Sequence, residues 1–182
     1  GKQNWYHKIW QKRAGCGPTT AATIIMYESR KYNLTQYYTK NSFIELMENL
    51  WNYVTPKTMG LNKIEYYIGG MDKYISDNNL AFSNSKFIKI SKQIYKRPTK
   101  EDLFIFLKNA IENNHPVAFL NLDNGKEINL DSWHWVTIVG IKFIDETNSL
   151  TATIADDGTL KQIDLGLWLE TTKKDGGFVY YS

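Results

Sequence analysis

The sequence predicts an α+β domain in which N-terminal helices pack on a C-terminal antiparallel sheet, and two patterns in the chain indicate this class. Apolar residues recur at helical spacing through the first part, to about residue 80. From residue 116 onwards, short runs rich in β-branched and aromatic residues are separated by turns that contain Asn or Gly. Helices followed by antiparallel strands are typical of α+β proteins, whereas helices and strands alternate in proteins with a parallel sheet.

Four helices are predicted from apolar residues spaced three or four positions apart. A Gly-Pro pair at 17–18 opens the first, because proline is well tolerated in a first helical turn. An Asn-Ser pair at 41–42 is expected to cap the second, and a Gly-Gly pair at 69–70 is expected to break the third. Residues 99–102 match a capping-box variant before the fourth. The predicted helices cover residues 19–31, 43–51, 61–75 and 103–111.

The strands are predicted from apolar runs of strand length that are bounded by turn residues. An Asn-Ser pair at 148–149 separates two of these runs and indicates a hairpin. An Asp-Gly pair at 157–158 marks another tight turn, and Asp-Gly-Gly at 175–177 precedes the closing run. The predicted strands cover residues 116–122, 133–144, 150–155, 159–165 and 178–181.

Length and composition are those of one globular domain. We expect a single domain over residues 1–182, with a helical part at about 16–80 and a sheet part at about 81–182. Hydrophobic residues make up 42% of the chain, which is enough to build a core without disulfide bonds. No run of 18 apolar residues is present, so no membrane span is predicted, and the N-terminal residues lack the apolar core of a signal peptide. Secretion after removal of a leader, a cytoplasmic location and the oligomeric state all stay open.

The formal net charge is only +3, and the densest basic stretch lies at residues 86–97. Lysines alternate there with Phe and Ile, which favours a strand with a solvated lysine face. No basic helix or known nucleic-acid-binding motif accompanies this stretch, so we expect no nucleic-acid partner.

The single cysteine, Cys16, lies just ahead of the first predicted helix. A helix N-terminus favours a thiolate there, and Gly15 and Gly17 are expected to keep side-chain bulk away from the sulfur. Gln11, five residues upstream, is a candidate to place its amide N–H beside the backbone N–H of Cys16 and form an oxyanion hole. The alternative is a glycine-flanked helix start with a buried, structural cysteine, and this segment alone does not decide between the two.

His134 stands at the opening of a strongly apolar strand. A histidine in such a position is costly unless its ring nitrogens have partners. The alternative is a core or edge histidine held by backbone hydrogen bonds. Because the chain also contains the Cys16 segment, we favour a catalytic base over that alternative.

Asp156 follows the next predicted strand. If the two strands form a hairpin, Asp156 lies near His134 and its carboxylate fixes the imidazole tautomer. Asp157 precedes Gly158 and is better suited to the turn. The alternative is that both aspartates only build the turn.

These three segments, Gln-x4-Cys-Gly-Pro-Thr, His-Trp-Val and Ile-Ala-Asp, resemble the double-glycine-peptidase-like branch of the papain superfamily, which includes bacteriocin-leader peptidases and stand-alone bacterial relatives. The resemblance extends from residue 11 to about residue 170. It implies a papain-like cysteine peptidase fold, with Gln11 as oxyanion residue, Cys16 as nucleophile, His134 as base and Asp156 as the residue that orients the base. The 118 positions from Cys to His are of the order of the ~130–150 in papain-type enzymes. The family usually has the Gln six residues before the Cys.

The expected activity is hydrolysis of peptide bonds in a peptide or protein substrate, without a cofactor. His7, Cys16 and His134 do not match a zinc signature, and His115 is interpreted as a turn residue. A small residue is expected before the cut bond, because Gly15 and Gly17 imply a small pocket.

Two tryptophans flank the proposed base. Strand alternation predicts that Trp133 and Trp135 point away from His134 and pack on the sheet.

Two functions other than peptide hydrolysis stay open. A papain-fold acyltransferase or transglutaminase-like enzyme would use the same catalytic residues with an amine as acceptor. A binding domain that keeps the fold without catalysis is the third possibility, and the presence of all four candidate residues argues against it.

Overall fold

Helices and an antiparallel sheet form the protein, as the α+β class predicts. The structure is a computed structural model that describes residues 1–31, 39–58 and 60–182. Residues 32–38 and 59, which belong to the predicted helical part, lie outside the described residues. The helices are α1 (Ile9–Ala14), α2 (Cys16–Lys31), α3 (Lys40–Trp51), α4 (Ile64–Asp77), α5 (Lys100–Glu112) and α6 (Leu165–Thr171).

The sheet has six strands, all antiparallel to their neighbours, in the order β1-β6-β2-β3-β4-β5. The C-terminal strand is inserted between β1 and β2, so the last residues of the chain lie in the middle of the sheet. The strands are β1 (Ser85–Ile90), β2 (Val117–Asn121), β3 (His134–Ile144), β4 (Ser149–Asp156), β5 (Thr159–Asp164) and β6 (Gly176–Tyr181).

Helices cover both faces of the sheet, because β2 and β3 bury the side chains of both faces. Leu120 and Trp135 belong to a core cluster with α2, α3 and α4. Phe119 and Val136 belong to a second cluster with α5 and α6. The predicted arrangement of N-terminal helices on a C-terminal antiparallel sheet is therefore confirmed, and a second helical layer on the opposite face adds to it.

The starts of two helices differ from the sequence expectation. α2 begins three residues earlier than predicted, at Cys16. Thr39 caps α3, and its Oγ1 accepts a hydrogen bond from the Ser42 N–H at 3.1 Å, so the expected cap at 41–42 is wrong. The capping box at 99–102 is confirmed at the start of α5.

α4 continues through Gly69 and Gly70, so the predicted break there is wrong. A Cβ atom at Gly70 would lie 2.5 Å from the carbonyl oxygen of Tyr53. The glycine therefore allows the chain after α3 to pass against α4, and this packing compensates for its low helix propensity.

The basic stretch at 86–97 divides into an exposed part and a structural part. The predicted strand is present as β1, and Lys86 and Lys89 are both exposed on it. They lie three positions apart and therefore on opposite faces of the strand, so the expectation of a single lysine face is wrong. Arg97 instead donates hydrogen bonds to four backbone carbonyls, two in the segment after β1 and two near the end of α6. Among the described residues, no helix is both long enough and apolar enough to cross a bilayer.

Candidate active site

Cys16 is the first residue of α2, and its free thiol is partly exposed. The first-turn N–H groups of a helix lack acceptors within the helix, and together with the helix dipole they favour negative charge at this end. α1 ends at Ala14, so only Gly15 separates the two helices. The thiol therefore lies at the N-terminal end of a helix and is open to a reacting group.

Gly15 and Gly17 allow core side chains to approach the backbone on either side of Cys16. A Cβ atom at Gly15 would lie 2.4 Å from the Tyr6 ring, and one at Gly17 would lie 2.6 Å from the Leu61 side chain. The space beside each glycine is thus filled by the protein itself. The expectation that these glycines open a small substrate pocket is wrong, and the reason to expect a small residue before the cut bond falls with it.

His134 and Asp156 are brought together by the pairing of β3 with β4. The imidazole Nε2 lies 2.7 Å from Asp156 Oδ1. Thr137 pairs with Ala155 in an antiparallel register, which sets His134 and Asp156 diagonally across the two strands. Asp156 is buried, with 7% of its surface exposed, so the hydrogen bond lies largely out of water.

Lys161 holds the second oxygen of the same carboxylate. Its Nζ lies 2.8 Å from Asp156 Oδ2. β4 and β5 form a hairpin in which Asp156 pairs with Thr159, so Lys161 reaches Asp156 diagonally. Both carboxylate oxygens are therefore bonded, and the carboxylate is fixed toward His134. The sequence interpretation missed Lys161, although the Asp-Gly turn at 157–158 sets the register that would have found it.

The two neighbouring aspartates have different environments. Asp157 lies in the turn with a positive φ of 44°, and its Oδ1 accepts a hydrogen bond from the Gln3 N–H at 3.2 Å. Asp156 alone contacts His134. The structure thus assigns one aspartate to the turn and the other to the histidine, as the sequence suggests.

Burial and hydrogen bonding act in opposite directions on this pair. Burial alone would lower the pKa of His134, but its hydrogen bonds to Asp156 and Cys16 outweigh burial and raise the pKa to about 10. Burial would raise the pKa of Asp156, but the hydrogen bonds from His134 and Lys161 lower it to about 2. At neutral pH the imidazole is therefore held as a cation beside an ionised carboxylate.

Cys16 also contributes to the raised pKa of His134, which places the thiol near the same imidazole ring. Because Nε2 is bonded to Asp156, the ring atom available to the sulfur is Nδ1. The sulfur, the ring and the carboxylate thus follow one another in the order that nucleophilic catalysis by a cysteine requires.

Gln11 is buried in α1, and its amide group is bonded to α3. Its Nε2 donates a hydrogen bond to Glu48 Oε2 at 2.7 Å, and the residue lines a separate cavity with Glu48 and Trp51. One donor of the Gln11 amide is thus engaged by Glu48, and among the described residues no hydrogen bond joins this amide to Cys16. The physical reason is that a carboxylate on α3 supplies a stronger acceptor for that amide.

A cavity of about 190 Å³ opens beside Cys16. Trp133 precedes β3 with a positive φ of 58°, so strand alternation does not apply to it, and its ring is 43% exposed. Trp135 is buried, stacks on Tyr67 and donates from its indole N–H to the Leu61 carbonyl at 2.6 Å. Trp135 packs in the core as expected, and both tryptophans also line the cavity. The other lining side chains include Trp10, Arg13, Leu61 and Leu122.

Trp10 and Arg13 are lining residues that the sequence interpretation missed. Trp10 belongs to α1 and stands six positions before Cys16, and this closeness in the sequence is the signal that could have identified it. Arg13 belongs to the same short helix and is exposed. A six-residue helix is too short to give a clear periodic pattern, which is why α1 was not predicted.

The other histidines lie elsewhere. His115 Nδ1 lies 3.1 Å from the buried Glu28 Oε1, next to Lys31, and His7 is exposed. Within the described ranges, no group of three or more His, Cys, Asp or Glu side chains is arranged to hold a metal ion.

Comparisons with known proteins give a limited result. No family model matches the chain, and no curated protein matches it. Among solved structures, the chain is similar to UfSP from C. elegans, with 12% identity and a TM-score of 0.43. The match covers 62% of this chain and 21% of that one, so this chain spans about a fifth of that protein's length. A likeness of this extent does not identify a reaction, and the chemistry must come from the residues of the site.

Replacing Asp156 by Asn should move the titration of His134 toward neutral pH. The ring should stay protonated until pH nears 10 in the unaltered protein, and should titrate at clearly lower pH in Asp156→Asn, where only Cys16 still raises the pKa of His134 against the effect of burial. The shift of the ring Hε1 proton, followed by NMR from about pH 5 to about pH 10, measures this, with His134→Gln to assign the signal. An unchanged titration in Asp156→Asn would show that the carboxylate is not what holds the ring protonated.

The same pair predicts how stability depends on pH. Folding raises the pKa of His134 from 6.5 to about 10, so its contribution to the free energy of unfolding is complete below pH 6.5 and is lost as pH rises toward 10. Folding lowers the pKa of Asp156 from 3.8 to about 2, so its contribution is complete above pH 3.8 and is lost as pH falls toward 2. Urea unfolding across this range should show both losses reduced in Asp156→Asn.

Proposed function

We propose that the protein is a papain-like cysteine peptidase that hydrolyses peptide bonds, with Cys16 as nucleophile, His134 as acid and base, and Asp156 as the residue that orients the imidazole. One observation carries this proposal: the 2.7 Å contact from His134 Nε2 to Asp156, in a site where Cys16, at a helix N-terminus, is close enough to raise the pKa of the same imidazole. The α+β architecture supports the assignment, because the cysteine helix packs on the sheet that carries the histidine.

Acylation begins from a thiolate at Cys16 paired with the imidazolium of His134. The sulfur attacks the carbonyl carbon of the scissile bond, a C–S bond forms, and the carbonyl oxygen becomes an oxyanion. When this intermediate collapses, the C–N bond breaks and the proton of His134 Nδ1 passes to the leaving amine. The products of this half-reaction are the free amine, a thioester on Cys16 and a neutral imidazole.

Deacylation returns the site to its starting state. The neutral His134 accepts a proton from a water molecule, whose oxygen attacks the thioester carbonyl. The C–S bond then breaks, the carboxylic acid leaves, and Cys16 is again a thiolate beside an imidazolium. Asp156 stays ionised throughout and stabilises the charged ring, while Lys161 holds the carboxylate in place.

Stabilisation of the oxyanion is assigned to the backbone N–H groups of Cys16 and Gly17 at the start of α2. The next two positions cannot contribute, because Pro18 has no N–H and the Thr19 N–H donates to the Gly15 carbonyl at 2.9 Å. Gln11 enters the proposal only as a residue to be tested, since its amide already donates to Glu48. An acyl acceptor other than water would turn the same steps into acyl transfer, so the acceptor is tested together with the hydrolysis.

A peptide library tests the proposed function. We expect cleavage of a proteome-derived library by the unaltered protein and none by Cys16→Ala. Asp156→Ala should lower kcat by about 10²–10⁴-fold, because the base loses its orienting partner. Asp157→Ala is the matched control: it removes a carboxylate from the turn and should leave kcat within a few-fold while lowering thermal stability.

Three results would contradict this assignment. Peptide cleavage that persists in Cys16→Ala would exclude the thiol as nucleophile. Transfer of acyl groups to an added amine, with no hydrolysis, would identify an acyltransferase instead. A loss of kcat in Asp157→Ala, with none in Asp156→Ala, would show that Asp157 and not Asp156 orients the imidazole.

Gln11→Ala gives a separate prediction for the oxyanion site. Loss of an oxyanion donor costs about 10²–10³-fold in kcat. Because the Gln11 amide is bonded to Glu48, we expect a change of only a few-fold, together with a lower Tm. Glu48→Ala should lower the Tm to a similar extent, and the double variant little further, since both remove one hydrogen bond. A 10²-fold fall in kcat in Gln11→Ala alone would instead support an oxyanion role for this side chain.

A further inference from the structure

A second and larger groove continues from the cavity beside Cys16. It encloses about 590 Å³, within the range of clefts that hold ligands. Leu122 lines both spaces, and the adjacent residues Leu61 and Asn62 line one each. The two spaces therefore adjoin along the edge formed by the segment before α4 and the end of β2. We call the larger one the lysine-rimmed groove.

The floor of the lysine-rimmed groove is apolar. It is built by side chains from the start of α4, the end of β1 and the end of β2, all of which are otherwise buried. These side chains are Ile64, Ile90, Leu120 and Leu122. Such a floor favours a ligand that brings apolar groups of its own.

The rim of the groove carries more positive than negative charge that is free to meet a ligand. The carboxylate of Glu65 is ion-paired with Lys89. Asp175 Oδ1 accepts a hydrogen bond from the backbone N–H of Lys92 at 2.8 Å. Lys63 and Lys96 also line the groove, are exposed, and form no ion pair with a carboxylate among residues 1–31, 39–58 and 60–182. The charge of Glu65 is thus paired, and Asp175 keeps one negative charge. The ammonium groups of Lys63 and Lys96 lie over the rings of Tyr66 and Tyr95, so two positive charges on the rim face one negative charge.

We propose that the lysine-rimmed groove binds an acidic, extended segment of the substrate on one side of the scissile bond. This inference deepens the proposed function and rests on it for the meaning of the groove as a substrate site. An extended chain directs successive side chains to opposite sides, so apolar residues can meet the floor while alternate carboxylates meet Lys63 and Lys96. The charges of groove and ligand are then complementary, which favours specificity and rapid association.

Binding of three labelled peptides to Cys16→Ala tests this proposal without requiring turnover. The probes are fluorescein-labelled decapeptides in which leucine alternates with glutamate, glutamine or lysine, and binding is followed by fluorescence anisotropy. We expect the Leu/Glu peptide to bind about tenfold more tightly than the Leu/Gln peptide, and the Leu/Lys peptide most weakly. The preference for Leu/Glu should shrink as salt rises, because exposed charges are screened.

Two double variants locate the effect. Lys63→Gln with Lys96→Gln, introduced into Cys16→Ala, should remove most of the preference for the Leu/Glu peptide. Lys86→Gln with Lys142→Gln is the matched control, because both lysines are exposed on β1 and β3 outside the groove and the net charge changes equally. The control variant should keep the preference unchanged.

Several results would overturn the proposal. Equal affinity for the Leu/Glu and Leu/Gln peptides, absence of binding by any of them, or an equal loss in both double variants would exclude an acidic peptide site in this groove. Tighter binding of a labelled ten-nucleotide oligothymidine than of the Leu/Glu peptide would identify a nucleic-acid site instead. Because these measurements use Cys16→Ala, they are independent of catalysis. Library cleavage without any acidic preference would leave the peptidase assignment standing and reject this inference alone.

Discussion

The hydrogen bond between His134 and Asp156 is the interaction on which the chemistry of this site depends, because it gives a buried imidazole a reason to be charged. Burial alone would keep that ring neutral, and a neutral ring would not stabilise a thiolate at Cys16. The carboxylate can serve only because Lys161 holds its other oxygen and the β3–β4 register fixes its distance. Residues on three neighbouring strands, β3, β4 and β5, therefore together set the protonation states of His134 and Asp156.

A second constraint holds α2, which begins with Cys16, close to the start of β3, which carries His134. Trp135, next to His134 in the chain, stacks on Tyr67 of α4 and donates to the Leu61 carbonyl. Leu61 in turn packs where a side chain at Gly17 would lie. The strand that carries the histidine is thus tied, through one loop, to the first turn of the helix that carries the cysteine. Changes in this packing should reach the thiol without touching any reacting group.

Local sequence was sufficient for much of the fold and for part of the site. The capping box at 99–102 and the Asp-Gly turn at 157–158 are short-range signals, and the helix and hairpin that they predict are present. The start of α3 and the continuity of α4 depend on Thr39 and on the approach of Tyr53 to Gly70, which periodicity does not report. The amide of Gln11 donates to Glu48, which lies 37 residues away in the chain, and no sequence pattern around Cys16 predicts that contact.

The most direct measurement of the central claim is the rate at which iodoacetamide alkylates the protein. Cys16 is the single cysteine of the chain, so the rate reports on one thiol. The pairing with His134 predicts rapid alkylation near neutral pH in the folded protein and a rate at least tenfold lower, by order of magnitude, in His134→Ala. Equal rates in the two proteins, or a thiol that reacts only after unfolding, would show that Cys16 is structural and that the site is not a nucleophilic one.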